Sequence, residues 1–206
     1  MQVHPAVATQ TTLFEAEQVF DYLLVINPDS QVSEDVKGMK MRLANALGYY
    51  NSQFSKAHIS LFRSEFPRRF EDTFIEMLET VSKRQNGFTV YTSRLEKFDH
   101  GTSKHTIYVN VANPKPVAEL HRKILQLFNL AGSHFVPHIT VARSINTDQM
   151  LKVYDHVRNQ LFVRSFDCHS FRLLRKPATG GHYEVVKEFT FGEPDAQGHT
   201  LFNHAA

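Results

Sequence analysis

The sequence predicts an α+β fold made of two copies of one unit, packed as two lobes about a pseudo-twofold axis. Two observations carry that reading. Strand-length apolar runs alternate with stretches of helical periodicity along nearly the whole chain. The order of elements also repeats: each half reads strand, Asn-Pro, helix, short histidine-containing strand, helix, then more strand. The two short strands align as His58-Ile59-Ser60-Leu61-Phe62-Arg63-Ser64 and His138-Ile139-Thr140-Val141-Ala142-Arg143-Ser144, their histidines 80 residues apart. A repeat of that size, each copy itself α+β, makes a duplicated domain rather than a solenoid.

Residues 21–27 (DYLLVIN) form an apolar run of strand length that stops at Asn27-Pro28. A helix is expected from Ser33 as N-cap, with Glu34 and Asp35 in its first turn and Val36, Met39, Leu43, Ala46, Leu47 and Tyr50 as its apolar stripe. The strand KAHISLF follows at 56–62. A second helix should open near Pro67 and bury Phe70, Phe74, Met77, Leu78 and Val81. Strands are expected at 88–98 and at Lys104 to Val111, the latter ended by Asn113-Pro114. The third helix, about 116–131, carries Val117, Leu120, Ile124, Leu127 and Phe128 and stops at Gly132. PHITVAR at 137–143 is the next strand. A helix capped by Thr147 carries Met150, Leu151, Tyr154, Val157 and Leu161, and strands near 166–174 and 182–191 pair across Gly180-Gly181.

With 206 residues, 42% of them hydrophobic, the chain can bury a core without staples. Residues 19–192 are expected to form one bilobal domain, with 1–18 and 193–206 as flexible ends. The single cysteine, Cys168, cannot close an intramolecular disulfide, which points to a reducing, cytoplasmic setting. No apolar run is long enough to span a bilayer, and MQVHPAVATQ lacks the pattern of a signal peptide. A formal charge of +2 excludes a nucleic-acid binder that works by bulk electrostatics. A small anionic substrate held by a few local groups is still compatible with it.

Residues two apart on a strand share a face, so His58 points with Ser60 and His138 with Thr140. Ile59, Leu61, Ile139 and Val141 point the other way, into the lobe cores. Under twofold symmetry the two polar faces meet in a central cleft and bring two imidazoles and two hydroxyls together. Transfer at a phosphodiester needs a base at the attacking oxygen and an acid at the leaving oxygen, and histidine serves either role near neutral pH. The hydroxyls suit the non-bridging phosphate oxygens. No metal or other cofactor is required. The pattern His, apolar, Ser or Thr, apolar should arise by accident about 0.3 times in such a composition, so a matched pair is specific.

At these residues the sequence resembles the two-histidine (2H) phosphoesterase superfamily, and most closely its 2′-5′ RNA ligase and cyclic phosphodiesterase branch. HISLF and PHITVAR stand where that family has its motifs, and the likeness extends over about residues 20–191. It implies antiparallel sheets lining the cleft and action on 2′,3′-cyclic phosphates of RNA ends or small nucleotides, on 2′-5′ linkages, or on ADP-ribose cyclic phosphate, with ligation open as a reverse reaction. It further implies His58 and His138 as the acid–base pair and Ser60 and Thr140 as phosphate donors. Arg143 resembles an arginine that the family places near the phosphate; by simple alternation it faces away, so that role requires a bulge or strand end after Thr140, and a surface arginine is the other reading. Arg63 meets the same obstacle. Phe62 is expected by alternation to share the face of His58, where it can stack on a base, with core packing as the equal alternative in a chain of 17 Phe. Tyr183 resembles a tyrosine of the family's last strand. A monomer is expected.

Two other classes remain. A protein that holds a nucleotide without turning it over would favour arginine or lysine at the histidine positions. A metal hydrolase would need ligand spacings and a carboxylate that neither motif supplies. The stretch His100 to His105 (HGTSKH) reads as a polar turn rather than a metal clip.

Overall fold

The structure is a computed structural model that describes residues 17–132 and 134–192. Of the expected flexible ends, residues 1–16 and 193–206 lie outside the described residues. The element order is β1 (Val19–Ile26), α1 (Ser30–Leu47), β2 (Ile59–Pro67), a 3-10 turn (Arg68–Phe70), α2 (Glu71–Lys83), β3 (Phe88–His100) and β4 (Lys104–Val111). It continues with α3 (Pro114–Leu127), β5 (His138–Asn146), α4 (Thr147–Asn159), β6 (Ser165–Cys168), β7 (Ser170–Pro177) and β8 (Glu184–Thr190).

All strand pairs are antiparallel, in the order β6-β3-β4-β5-β2-β1-β7-β8. The middle of that order is its weakest point, because β2 and β5 meet at the single register pair Ile59↔Ile139. The sheet therefore divides into lobe 1 (β2-β1-β7-β8) and lobe 2 (β5-β4-β3-β6), as the duplicated α+β reading predicts. Each half of the chain sends its later strands across. β3 follows α2 yet pairs in lobe 2, and β7 follows α4 yet pairs in lobe 1. The helices cross as well: α1 packs on β5 and α4, and α3 packs on β2 and α2. Phe20, Tyr22, Leu24 and Ile26 of β1 and Ile59 and Leu61 of β2 lie in the core beneath the helices.

Several boundaries move from their expected places. Asp29, not Ser33, caps α1: its carboxylate accepts the Val32 amide at 2.8 Å, which starts the helix a turn earlier. Asn146, not Thr147, caps α4, in a reciprocal box with Gln149. The stripe of α4 is Met150, Val153 and Val157, while Leu151, Tyr154 and Leu161 are exposed. Ala46 is likewise exposed on α1, and Phe70 is exposed because a 3-10 turn precedes α2. The third helix ends at Leu127, short of Gly132. The strand expected at 166–174 is two strands, β6 and β7, parted at His169, which pair at opposite ends of the sheet order. The turn at Gly180-Gly181 stands where expected, with φ of 126° and 110°.

Candidate active site

β2 carries the first motif. Val25 of β1 pairs with Ser60 and Leu24 pairs with Phe62, which leaves Leu61 as an extra residue on β2. One unpaired residue reverses the alternation beyond it. His58 and Ser60 face away from the helices, opposite to Ile59 and Leu61. Phe62 then returns to the helix side, where it stacks on Phe128 at 5.0 Å and lies 6.2 Å from Phe74. The expectation that Phe62 shares the face of His58 is therefore corrected: its ring is committed to the core. Arg63, opposite Leu23, comes to the face of His58 instead.

β5 repeats the device. Tyr108 pairs with Thr140 and Ile107 pairs with Ala142, leaving Val141 over. Ala142 is buried with the core, so the bulge supplies the reversal that Arg143 requires to join His138 and Thr140. The register pair Ile59↔Ile139 brings the motifs side by side and antiparallel, so the His58–Ser60 and His138–Thr140 pairs lie head to tail on one face.

Both imidazoles are held alike. Nδ1 of His58 lies 2.8 Å from the Lys56 carbonyl, and Nδ1 of His138 lies 2.8 Å from the Val136 carbonyl. A carbonyl only accepts, so each Nδ1 carries the proton and each Nε2 offers a lone pair. Burial pulls both histidines below their ordinary value, against the carbonyl bonds that raise them; the Arg143 charge lowers both further. Neutral rings at neutral pH are the consequence.

Their surroundings differ. Lys40 of α1 is 1% exposed, and its ammonium donates to the Ser52 carbonyl at 3.1 Å, the Ser55 carbonyl at 2.8 Å and the Ser55 hydroxyl at 2.7 Å. Burial pulls its pKa down to about 8. Its charge is among the causes that lower His58 and is absent from those acting on His138. The same loop reaches lobe 2: the Ser52 hydroxyl accepts the Arg143 amide at 2.8 Å beside the Val141 bulge. His138 instead sits against aromatic rings, 5.0 Å from Phe98 and 5.2 Å from Tyr108 between centroids. The Tyr108 hydroxyl donates to Glu96 at 3.1 Å.

Tyr183, one residue before β8, also reaches this face, but away from the histidines. Its hydroxyl donates to Asp21 at 2.7 Å, as does Arg63 through Nε at 2.9 Å and Nη2 at 2.7 Å. The structure thus gathers His58, Ser60, His138, Thr140 and Arg143 at one junction, places Tyr183 in a neighbouring cluster and removes Phe62. Lys40 escaped the sequence reading. Its signal was a lysine within the apolar stripe Val36, Met39, Leu43 and Leu47.

His100 and His105 flank the β3–β4 turn, where His105 pairs with Asp99 at 2.6 Å and His100 with Thr106 at 3.0 Å. Among the described residues no group of three or more His, Cys, Asp or Glu is placed to hold a metal ion, and no helix is long and apolar enough to cross a membrane.

A family model described as the 2′-5′ RNA ligase superfamily matches residues 28–180. Among solved structures, Escherichia coli LigT complexed with 3′-AMP superposes with a TM-score of 0.61 at 16% identity, over 85% of this chain and 98% of that one. The same protein complexed with NADP+ gives 0.60 at 16% identity with the same coverage. The Thermus thermophilus protein TT0787 gives 0.62 at 15% identity, over 83% of this chain and 97% of its own. At these identities the likeness is one of fold. A search of curated proteins finds no match.

Proposed function

The chain belongs to the 2′-5′ RNA ligase superfamily, whose fold is that of 2H phosphoesterases, and from that premise we propose a metal-independent phosphoesterase that opens 2′,3′-cyclic phosphate ends of RNA or nucleotides. The observation that carries this reading is the matched histidine pair: each Nδ1 is spent on a carbonyl at 2.8 Å, and each Nε2 is left for chemistry on the same face. Nucleotide complexes of the E. coli relative support a nucleotide ligand.

The steps balance without a cofactor. Water attacks phosphorus while a neutral Nε2 takes its proton. The bond from phosphorus to one ribose oxygen breaks, and the other histidine, protonated, gives that oxygen its Nε2 proton. Ser60 and Thr140 donate hydrogen bonds to the non-bridging oxygens, and Arg143 adds charge as the phosphorane forms. Ligation is the same ring opening with a ribose 5′-hydroxyl in place of water: the base takes the hydroxyl proton and the acid protonates the departing ribose oxygen.

The unequal surroundings assign the roles. A buried ammonium acts on His58 alone and disfavours a second cation there. Lys40, His138 and Arg143 are all among the charges that lower His58, whereas Arg143 alone is among those that lower His138. A proton is therefore less disfavoured on His138 than on His58, which assigns His138 as the acid and His58 as the base. Both rings are depressed, so the pH–rate profile is bell-shaped and its limbs belong to the pair.

The test is product analysis of a 2′,3′-cyclic nucleotide incubated in EDTA, with the His58→Ala/His138→Ala protein as control. A single monophosphate isomer, absent in the control, is the expected result. Turnover that survives in the control overturns the mechanism, and turnover lost in EDTA overturns metal independence.

A further inference from the structure

We propose that lobe 1 holds a second anion subsite, formed by Arg63 and Lys176 about the buried carboxylate of Asp21, which takes the phosphodiester linkage next to the reacting nucleotide. The inference rests on the reading above and deepens it: the substrate class becomes an oligonucleotide end rather than a cyclic mononucleotide.

Asp21 is 1% exposed on β1, on the face opposite to Phe20 and Tyr22. Its register partners are Glu65 on one side and Lys176 on the other. Both of its oxygens are fully engaged. Oδ1 accepts from Arg63 Nε, while Oδ2 accepts from Arg63 Nη2 and the Tyr183 hydroxyl and lies 3.6 Å from Lys176 Nζ. Burial alone would raise this carboxyl; the bonds from Arg63 and Tyr183 and the charges of Arg63 and Lys176 outweigh it and hold the group ionised. One buried anion thus orders two cations; these three groups sum to one positive charge, which the adjacent Glu65 carboxylate reduces. Nη1 of Arg63 and the remaining protons of Lys176 are not consumed by Asp21, and the Arg63 side chain is 50% exposed.

Position connects the cluster to the reaction. Because of the Leu61 bulge, Ser60 stands opposite Val25 and Arg63 opposite Leu23. Arg63 is one same-face step from Ser60 and Asp21, which holds its guanidinium, one step further, so the cluster stands about 7–13 Å along the strand from Ser60, within reach of the next linkage of an extended single strand. The Tyr183 ring lies beside it with the Lys176 ammonium over one face at 5.1 Å, which leaves only the opposite face for a base to stack on. Glu65 is exposed and makes no ion pair among the described residues. Its charge favours a singly charged diester over a dianionic monoester at this position.

The experiment compares KM for three substrates: a nucleoside 2′,3′-cyclic phosphate, the dinucleotide ending in the same cyclic phosphate, and that dinucleotide with a neutral methylphosphonate linkage. The charged dinucleotide should have a KM about tenfold below the other two. Its log KM should also rise more steeply with log salt, by a slope of about 0.7 for one phosphate contact. Lys176→Met should shrink the advantage of the charged dinucleotide, and Arg63→Met should remove it. A methylphosphonate dinucleotide that binds as well as the charged one overturns the subsite, whatever the turnover. If no cyclic end is turned over at all, equilibrium binding of the two dinucleotides without the cyclic phosphate reads the subsite separately. A preference for the charged linkage upholds it and no preference overturns it.

Discussion

His58 of lobe 1 feels the charge of a buried lysine, and His138 of lobe 2 packs against the stacked rings of Phe98 and Tyr108. The backbone treats them identically: a carbonyl two residues upstream, a hydroxyl two residues downstream, and a bulge that brings an arginine back to the same face. Duplication set the frame, and the differences entered from outside the motifs, through α1 and the 52–55 loop on one side and β3 on the other. The pseudo-symmetric site thus acquires direction from residues that the repeat does not contain. Rigidity is divided unequally as well. The Val141 bulge is tied by Ser52, itself held by Lys40, whereas the Leu61 bulge has no such tie among the described residues.

Removing either imidazole tests what the lobes share. His58→Ala and His138→Ala should each lower kcat/KM by about 100- to 10,000-fold, the range of a general acid or base. Steady-state turnover of a 2′,3′-cyclic nucleotide measures it, and a loss at only one position would break the paired reading. The hydroxyls come next. Ser60→Ala and Thr140→Ala should each cost about 10- to 1000-fold in kcat with little change in KM, as single oxyanion donors do. A change confined to KM would reassign them to ground-state binding.

Lys40 probes what sets the lobes apart. In Lys40→Met a cation that lowers His58 is gone, and the limb of the kcat/KM profile that belongs to His58 should move to higher pH. Lys40→Arg keeps the charge and should restore most of that shift. A purely structural lysine would lower the rate at every pH and leave the limb in place.

Stability carries the smallest effect. Both histidines are depressed below an unfolded value near 6.5, so below that pH the unfolded chain binds more protons than the folded one. Their contribution is present above pH 6.5 and is lost as pH falls through the folded values, at about 1.4 kcal/mol per unit of depression. Urea unfolding at pH 7.5 and 5.5 should show a smaller loss on acidification for His58→Ala/His138→Ala than for the parent. Equal losses would mean that the rings are not desolvated.

The duplication, the strand and helix order and the His-x-Ser/Thr faces could be read from the sequence because they depend on local periodicity. What could not be read depends on single residues that periodicity does not register. The bulges at Leu61 and Val141 look like ordinary apolar strand positions, yet they send Phe62 to the core and bring Arg63 and Arg143 to the site face. Alternation placed Phe62 wrongly for that reason, and made the face of Arg143 conditional on a break after Thr140. His169 reads as mid-strand, although the chain changes lobes there. Asp21, at the head of an apolar strand, and Lys40, inside an apolar helix stripe, were not singled out by periodicity; only tertiary structure supplies the partners that explain them.

The division of labour between the two histidines is open to one direct measurement. A substrate whose leaving ribose oxygen is replaced by sulfur departs as a thiolate and needs no acid, so its turnover separates the roles. His138→Ala should regain most of the parental rate on the sulfur substrate, and His58→Ala should stay inactive. Rescue of His58→Ala instead, or of both variants equally, would contradict the assignment of His58 as base and His138 as acid.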